Sequence, residues 1–276
     1  MLDGKLSLVL PAYNEVDNIA VVVRRADATL SAVTRDYEII IVDDGSQDGT
    51  SASADQLAVE CPMVQVIHHA GNRGYGAALT SGFHAATGEW IMFMDADQQF
   101  DIAEIRRLLP YVPRNDIVAG YRLQRRDPLY RRFYATLFGL TVRLLFRLRV
   151  RDIDCAFKIF RADLIHTMPI TTQGALINTE LLARARRQGA SIAQVGVHHY
   201  PRLTGASSGG SPKVVIRALG ETCRLWIRLR RDQLDRGSVP QSRGEQSSFP
   251  ASVEIPLERS GTHRLGTASE SSASQD

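Results

Sequence analysis

Two aspartates, Asp95 and Asp97, stand two positions apart directly after the apolar run WIMFM at residues 90–94. Carboxylates at the end of a buried strand can converge on a hard cation such as Mg²⁺ or Mn²⁺, and Gln99 could add a neutral oxygen ligand. Such an ion can bridge a diphosphate and stabilise the charge that develops as it leaves. An isolated pair of this kind is more often a solvated acidic turn, but two further polar clusters favour the metal interpretation.

The second cluster is the sequence DDGS, which follows the apolar residues 37–42. Gly45 permits a tight turn, and Asp44 could accept hydrogen bonds from a base or a ribose. Asp48 is interpreted as a structural residue instead, because it or Thr50 is suited to cap the next helix.

The third cluster is PAYNE, which follows residues 6–10. Tyr13 could pack on a nucleobase while Glu15 accepts a hydrogen bond from it. The alternative is a helix start with Asn14 as N-cap and acidic residues in the first turn. The two interpretations are compatible.

A glycine-rich segment, Gly71–Gly76, precedes a predicted helix. It differs from the GxGxxG pattern after a first strand, and no Lys-Ser/Thr pair follows it. The segment therefore speaks against a dehydrogenase and against a kinase.

Strands and helices alternate along the first half of the chain. The predicted strands are 6–10, 37–42, 64–68, 90–94 and 116–119, and the predicted helices are 18–30, 51–60, 75–86 and 101–109. This alternation with short connections predicts an α/β fold with a parallel sheet covered by helices. Ligands of such sheets lie beyond the carboxyl ends of the strands, where the three polar clusters stand.

The second half of the chain is less regular. The predicted elements are strands 153–160 and 192–200 and helices 174–188 and 213–231. We predict one catalytic domain over 1–212, with two halves, 5–120 and 121–212. An amphipathic helix (213–231) follows it. Residues 232–276 are rich in Ser, Gly, Gln and Glu, and predict a disordered tail.

Composition indicates the cellular compartment and the classes of binding partner to expect. A net charge of +3 gives no reason to expect nucleic acid as a partner, and the spacing of Cys61, Cys155 and Cys223 fits neither disulfides nor zinc. No signal peptide is recognisable, and no run reaches the roughly 18 apolar residues of a membrane span. We therefore expect a cytoplasmic protein that is peripheral on the cytoplasmic face of the membrane.

Five segments together, PAYNE, VDDGSQDGT, GNRGYGAAL, MDADQQ and DIDCAFK, resemble family 2 glycosyltransferases of the GT-A fold. They are most similar to the polyprenol-phosphate sugar transferases, the dolichol-phosphate mannose synthase group, over roughly residues 5–212. The resemblance implies a mainly parallel central sheet flanked by helices, with 5–120 as the nucleotide-sugar half and 121–212 as the acceptor half of the domain. It also implies inverting transfer of a hexose from a UDP- or GDP-sugar to a polyprenyl phosphate, with Mg²⁺ or Mn²⁺ as cofactor.

The resemblance also implies roles for single residues. The nucleotide would be held by Pro11, Tyr13, Glu15, Val42 and Asp44. The diphosphate and metal would be met by Asp95, Ala96 and Asp97, with Asp97 and Gln99 as metal ligands. Arg122 would lie near the donor and acceptor phosphates, and Arg202 matches the family segment R-x-x-G-x-S. The family often has Lys after that Ser, but Ser208 stands here and the nearest lysine is Lys213.

The acceptor class depends on charge. A lipid phosphate is already anionic and needs positioning by arginines more than a base. The candidates are Arg122, Arg131, Arg132 and Arg202, with Arg125 and Arg126 beside them. A hydroxyl acceptor on a glycan or small molecule would need a carboxylate base, for which Asp152 and Asp154 are candidates. A third possibility, from another class, is an inert sugar-nucleotide-binding scaffold.

Two segments favour an anionic membrane surface as partner. In 213–231 a cationic stripe (Lys213, Arg217, Arg224, Arg228, Arg231) lies opposite an apolar face (Val215, Leu219, Leu225, Trp226, Leu229), as in an interfacial helix. Residues 129–149 are likewise apolar and arginine-rich. The alternative for both segments is an amphipathic helix packed on the core. Recruitment by a separate membrane protein is a further possibility.

Overall fold

The computed structural model describes residues 1–123, 139–201, 212–237 and 253–255, the side chains of 212–219, 233–237 and 253–255 excepted. Eight strands form one sheet in the spatial order β3-β2-β1-β4-β6-β5-β7-β8. The strands are β1 (Leu6–Ala12), β2 (Tyr37–Asp43), β3 (Val64–His68), β4 (Trp90–Met94), β5 (Ile117–Arg122), β6 (Phe157–Arg161), β7 (Ile192–Val197) and β8 (Val253–Ile255).

Helices connect most of these strands. They are α1 (Val16–Val33), α2 (Thr50–Glu60), α3 (Tyr75–Ala85), α4 (Ile105–Leu108), α5 (139–146), α6 (Ala162–His166), α7 (Ile177–Arg187) and α8 (Pro212–Gly237). Short 3₁₀ turns at Ile102–Glu104 and Leu109–Arg114 flank α4. The helix predicted at 101–109 is therefore a chain of three short helical segments, and the internal Pro113 suits such a broken helix.

The sheet is mainly parallel, as the alternation predicts. β1 lies between β2 and β4 and is parallel to both, and β5, β7 and β8 are also mutually parallel. Among the described strands only β6 runs antiparallel to its neighbours, β4 and β5. The α/β fold class, a mainly parallel sheet flanked by helices, is confirmed.

Continuous apolar strands and helical spacing explain the first half of the fold. All seven residues of β1 are buried, as expected for a strand covered on both faces. Helix α3 packs closely on β1 because Gly82 has no side chain: a Cβ there would come 2.3 Å from a methyl of Val9. This close packing fixes α3, whose first turn reaches the candidate site.

The two strands predicted in the second half are shorter than expected. β6 begins only at Phe157, because the carbonyls of Ile153 and Cys155 accept hydrogen bonds from the buried Lys158 ammonium and fold 153–156 into a turn. β7 ends at Val197, because the backbone N–H of His198 donates to the Glu104 carboxylate at 2.9 Å instead of extending a strand.

Helix α8 is longer than the predicted 213–231, and of its described apolar side chains Leu225, Trp226 and Leu229 pack inward while Ile227 is exposed. Leu225 and Leu229 are buried, and the Trp226 indole N–H donates to the carbonyl of Leu145 at 3.1 Å. For these residues the interpretation as a helix packed on the core holds, rather than contact with lipid. None of the helices in the described ranges has the length and apolar character of a bilayer span.

The boundary predicted at residue 232 differs from the structure. Helix α8 continues to Gly237. The ion pair between Asp232 and Arg184, at 3.1 Å, holds this part of α8 against α7. Val253–Ile255 pair with β7 as a parallel edge strand, which their two β-branched residues favour. The rest of the predicted tail lies outside the described residues.

Candidate functional site

The three polar clusters meet at one edge of the sheet, because β1, β2 and β4 are neighbouring parallel strands. Backbone N–H groups of the PAYNE loop donate to the DDGS loop: Asn14 to Ser46 Oγ at 2.9 Å and Glu15 to Thr50 Oγ1 at 2.8 Å. Gln98, after the aspartate pair, donates to Asn18 Oδ1 at 2.7 Å. The predicted convergence is thus confirmed.

Tyr13 lies at the mouth of an open cavity of about 450 Å³ between the first two clusters and the glycine segment. Its side chain is 43% exposed, so an aromatic face is available to a ligand. Asp43, Gly45, Gly71 and Asn72 also line this cavity. The cavity is therefore lined largely by polar residues and lies at the sheet edge where the polar clusters meet.

Pro11 and Val42 are the penultimate residues of β1 and β2. They are register partners in β1 and β2, and both are buried. Glu15 accepts from Asn18 Nδ2 at 2.6 Å. Asn14, the predicted N-cap, has a left-handed φ of 55° and lies outside the helix, whose first N–H, of Val16, donates to Asp48 Oδ2 at 3.2 Å. The cap of α1 is therefore supplied by the neighbouring loop.

Asp48 makes structural hydrogen bonds as predicted, but the N-cap of α2 is Gly49 and neither Asp48 nor Thr50. Besides Val16, Asp48 accepts hydrogen bonds from the N–H and hydroxyl of Thr50, at 3.0 and 2.6 Å. Burial tends to raise the pKa of the Asp48 carboxyl, but these bonds outweigh it and lower the pKa.

Asp44 is buried and holds the glycine segment. Its Oδ1 accepts from His69 Nδ1 at 2.6 Å and from the N–H of Arg73 at 2.9 Å, and its Oδ2 accepts from the N–H of Gly74 at 2.8 Å. A carboxylate offers about four acceptor positions, so these three bonds leave room for one ligand group. Gly45 beside it has a φ of +76°, and a Cβ there would come 2.5 Å from Gly71 Cα.

Asp43, which the sequence analysis did not select, lines the cavity. Its carboxylate accepts from Ser46 N at 3.0 Å, Ser51 Oγ at 2.5 Å and His68 Nδ1 at 2.9 Å. Burial alone would raise the pKa of Asp43, but these bonds lower it. The other ring nitrogen of His68 contacts Asp55 at 2.9 Å, and the two carboxylates raise the pKa of the histidine. Because Asp43 and Asp44 are adjacent and of the same type, the sequence did not show that they make different contacts.

The aspartate pair lies next to Tyr75 of the glycine segment. Asp97 is 6% exposed and accepts from the N–H of Gln99 at 3.1 Å, and Ala96 between the acids is buried. Burial, followed by the negative charges of Asp95 and Asp97, raises the pKa of the Tyr75 hydroxyl well above its ordinary value. Tyr75 was missed from sequence, although it stands inside a quoted motif.

The donor atoms near Asp97 fit a divalent cation held partly by a substrate. Within the described ranges no group of three or more His, Cys, Asp or Glu side chains is placed to hold a metal. The Gln99 amide nitrogen donates to Tyr200 O at 3.2 Å, so only the amide oxygen can serve as a ligand. A few oxygen ligands, with further positions filled by phosphate and water, suit Mg²⁺ or Mn²⁺.

Arg122, the last residue of β5, is bound to Asp152 at two points. Its Nε and Nη2 lie 2.7 and 2.8 Å from the two carboxylate oxygens. Burial would lower the pKa of the guanidinium, but the bonds and charge of Asp152 outweigh it and raise the pKa. Asp152 is thus engaged, whereas Asp154, the other candidate base, is exposed.

The remaining predicted arginines, Arg125, Arg126, Arg131, Arg132 and Arg202, lie outside the described residues. Their roles stay predictions.

A backbone segment from the second half, 171–174, packs on the first turn of α3. The carbonyl of Gln173 accepts from the N–H groups of Gly76 and Ala77 at 2.7 and 3.2 Å. The buried carboxylate of Glu180 holds this segment by accepting from the N–H groups of Thr171 and Thr172. No sequence signal marks the contact, because carbonyls of any residue type can make it.

The sequence matches the family model described as "Glycosyl transferase family 2" over residues 7–183. One relative is an undecaprenyl-phosphate 4-deoxy-4-formamido-L-arabinose transferase of Pseudomonas fluorescens (strain Pf0-1), 34% identical over 59% of this chain and 48% of that protein. Another, of strain Pf-5, is 34% identical over 82% of this chain and 66% of that protein. The equivalent of Yersinia enterocolitica is 28% identical over 76% and 64%. The chain thus spans about half to two thirds of their length.

Solved structures of the same fold include glucosyl-3-phosphoglycerate synthase from Mycobacterium tuberculosis. Its complex with phosphoglyceric acid has a TM-score of 0.61 at 21% identity, covering 80% of each chain. Its complex with Mn²⁺, UDP and glucosyl-3-phosphoglycerate has a TM-score of 0.55 at 20% identity, covering 87% of this chain and 82% of that one. These similarities assign the GT-A fold. Since the family model spans most of the chain and includes every loop that meets at the sheet edge, the protein belongs to glycosyl transferase family 2.

Proposed function

We propose that this protein is an inverting glycosyltransferase that moves a hexose from a UDP- or GDP-sugar to a polyprenyl phosphate at a membrane surface. The observation that carries the proposal is the convergence of the Asp95–Asp97 pair, the Tyr13 cavity and Arg122 at one edge of the sheet. Each matches one part of the reactants: a diphosphate, a nucleoside and a phosphate acceptor.

The donor half of the proposal rests on Asp97 and the cavity. Mg²⁺ or Mn²⁺, when bound, would neutralise charge on the leaving diphosphate. Asp97 and Gln99 would hold the ion and Asp95 would face the diphosphate, while Ala96 keeps the two acids apart. Tyr13, Glu15 and Asp44, on the backbone of Pro11 and Val42, would hold the nucleoside.

The acceptor half rests on Arg122. With Nε and Nη2 engaged by Asp152, its remaining N–H groups are held in a fixed orientation that suits phosphate oxygens. An anionic phosphate needs orientation more than a base, and direct attack opposite the leaving diphosphate inverts the sugar. The undecaprenyl-phosphate named for the relatives supports this acceptor class. Arg131, Arg132 and Arg202 would complete the phosphate site.

A second candidate acceptor is a hydroxyl of a glycan or small molecule, attacked with Asp154 as general base. Its support is the exposure of Asp154 beside a fully engaged Asp152. An inert scaffold is less well supported, because a scaffold has no need for the Asp95–Asp97 pair.

We place the protein at the cytoplasmic face of an anionic membrane, bound directly or through a separate membrane protein. Support comes from exposed cations on α8, namely Arg224, Arg228 and Arg231, and from exposed apolar side chains, namely Leu140, Leu144 and Ile227. Trp226 bridges α8 to α5, so both groups belong to one region. A cationic surface with a few apolar side chains fits anionic lipid.

The test is a donor screen with Mg²⁺ or Mn²⁺ and a short polyprenyl phosphate. UDP-glucose, UDP-GlcNAc, UDP-galactose and GDP-mannose are offered, and free nucleoside diphosphate and glycolipid are measured. Glycolipid from one donor, abolished by EDTA, is the expected result. Nucleoside diphosphate without glycolipid would favour the hydroxyl acceptor.

The matched variant for this screen is Asp97→Asn, which keeps the size of the side chain and removes its charge. We expect a loss of turnover well beyond about tenfold. Turnover within that limit would contradict the metal role of Asp97.

A further inference from the structure

His69 is a buried histidine with both ring nitrogens in contact. Nδ1 lies 2.6 Å from Asp44 Oδ1, and Nε2 lies 2.9 Å from Ser81 Oγ of α3. The side chains of His69 and Asp44 are each only 4% exposed. Because an ionised carboxylate only accepts hydrogen bonds, the proton of this contact must be on Nδ1.

The backbone of His69 fixes where its ring lies. Its N–H donates to the carbonyl of Asp43 at 2.9 Å, which extends the pairing of β2 and β3 by one step. The ring of His69 then contacts Asp44, the residue that directly follows β2. His69 therefore holds two consecutive residues of the DDGS loop, one by backbone and one by side chain.

We propose that His69 is a positioning residue of the donor site. It orients the Asp44 carboxylate so that two bonds hold Arg73 and Gly74, and the remaining acceptor position faces the nucleoside. Ser81 fixes the far side of the ring and so prevents its rotation. The inference rests on the proposed function, since it takes the nucleoside to bind at Asp44.

Two amide substitutions separate this role from simple core filling. An Asn side chain places its N–H₂ near the position of Nδ1, whereas a Gln side chain places it near Nε2. His69→Asn therefore preserves the bond to Asp44, and His69→Gln does not. Both introduce a buried amide of similar polarity, so a general loss of packing would affect both alike.

The experiment uses the full chain. Binding of UDP and GDP is measured by calorimetry, and KM and kcat are measured for the donor that turns over. We expect His69→Asn to bind the nucleotide within about threefold of the wild type and His69→Gln to bind it roughly tenfold or more weakly. The loss should be in KM with little change in kcat, because the contact acts on binding before and during the reaction alike. His84→Gln, an exposed histidine of α3, is the matched control and should change neither.

A second measurement needs no variant. The ¹⁵N chemical shifts of the His69 ring in the wild-type protein should show the proton on Nδ1, with or without nucleotide. A neutral ring protonated on Nε2 would overturn the proposal, as would equal weakening by the Asn and Gln variants. The variant Asp44→Asn distinguishes failure of the proposed donor site from failure of the positioning role of His69. If Asp44→Asn leaves nucleotide binding unchanged, the proposed donor site is wrong. If it weakens binding while both His69 variants bind equally, only the positioning role fails.

Discussion

Replacing Gly76 by Ala would favour the helical conformation locally but would bring a methyl group against the backbone of the 171–174 segment. Gly76 lies in the first turn of α3, and its N–H donates to the carbonyl of Gln173 at 2.7 Å. A Cβ at this position would come 2.4 Å from the carbonyl oxygen of Thr172 and 2.8 Å from that of Gly174. Both atoms are backbone, so they cannot move aside as the end of a flexible side chain can.

The two effects have opposite signs. In an open helical position, Ala is more favourable than Gly by about 0.5–1 kcal/mol. Forcing one methyl group into packed backbone costs about 1–3 kcal/mol. The clash should exceed the gain, and we expect Gly76→Ala to lower the free energy of unfolding by about 1–2 kcal/mol.

Gly220→Ala is the matched control, because Gly220 lies within α8 and a Cβ there would meet nothing within 4 Å. We expect this variant to gain about 0.5–1 kcal/mol. Urea unfolding of both variants measures the difference. Turnover should fall in Gly76→Ala only, since displacement of the 171–174 segment moves Tyr75 away from Asp95. A Gly76→Ala protein as stable as the Gly220→Ala protein would refute the argument.

Two further predictions concern charged pairs at the same edge. Arg122→Lys keeps the charge but loses the two-point contact with Asp152. We therefore expect turnover, measured as glycolipid formation, to fall by roughly tenfold or more. Turnover equal to that of the wild type would contradict the orienting role of Arg122. His68 lies between Asp43 and Asp55, which raise its pKa from 6.5, so its stabilising contribution is complete below that pH and is lost as the pH rises through the raised pKa. Urea unfolding measures the difference in the free energy of unfolding between the wild type and His68→Asn. This difference should be larger at pH 6 than at pH 9. A difference that grows with pH would show that the charged ring is not stabilised.

The first half of the fold was predictable because its signals are local. Buried parallel strands are continuous apolar runs, as in β1 and β2, and α1 shows its helical spacing directly. The loops that follow them could then be placed at one edge by the general rule for parallel sheets. This reasoning needs no long-range contact, and it placed the three polar clusters at the edge of the sheet where the structure has them.

The division of roles within the site was not predictable in the same way. Asp43 and Asp44 are adjacent and chemically identical, yet one lines the cavity and the other binds the glycine segment. Which acid has which role depends on the pleat at the end of β2 and on two histidines, His68 at the end of β3 and His69 directly after it. Likewise Asp152 and Asp154 are both candidate bases by sequence, and only the structure shows that Asp152 is bound to Arg122 at two points.

The glycine segment 71–76 connects the parts of the site, although it lacks the pattern of a phosphate-binding loop. Gly71 receives the backbone of Gly45, and Gly74 and Gly76 receive the carbonyls of the 171–174 segment. Tyr75, between the last two glycines, faces the aspartate pair. Glycine is needed at positions 74 and 76, because an added Cβ would meet the backbone of the 171–174 segment there, whereas a Cβ at Gly71 would meet nothing within 4 Å. The segment therefore sets the distance between the cavity at Tyr13 and the aspartate pair, the two parts of the site to which we assign the nucleoside and the diphosphate.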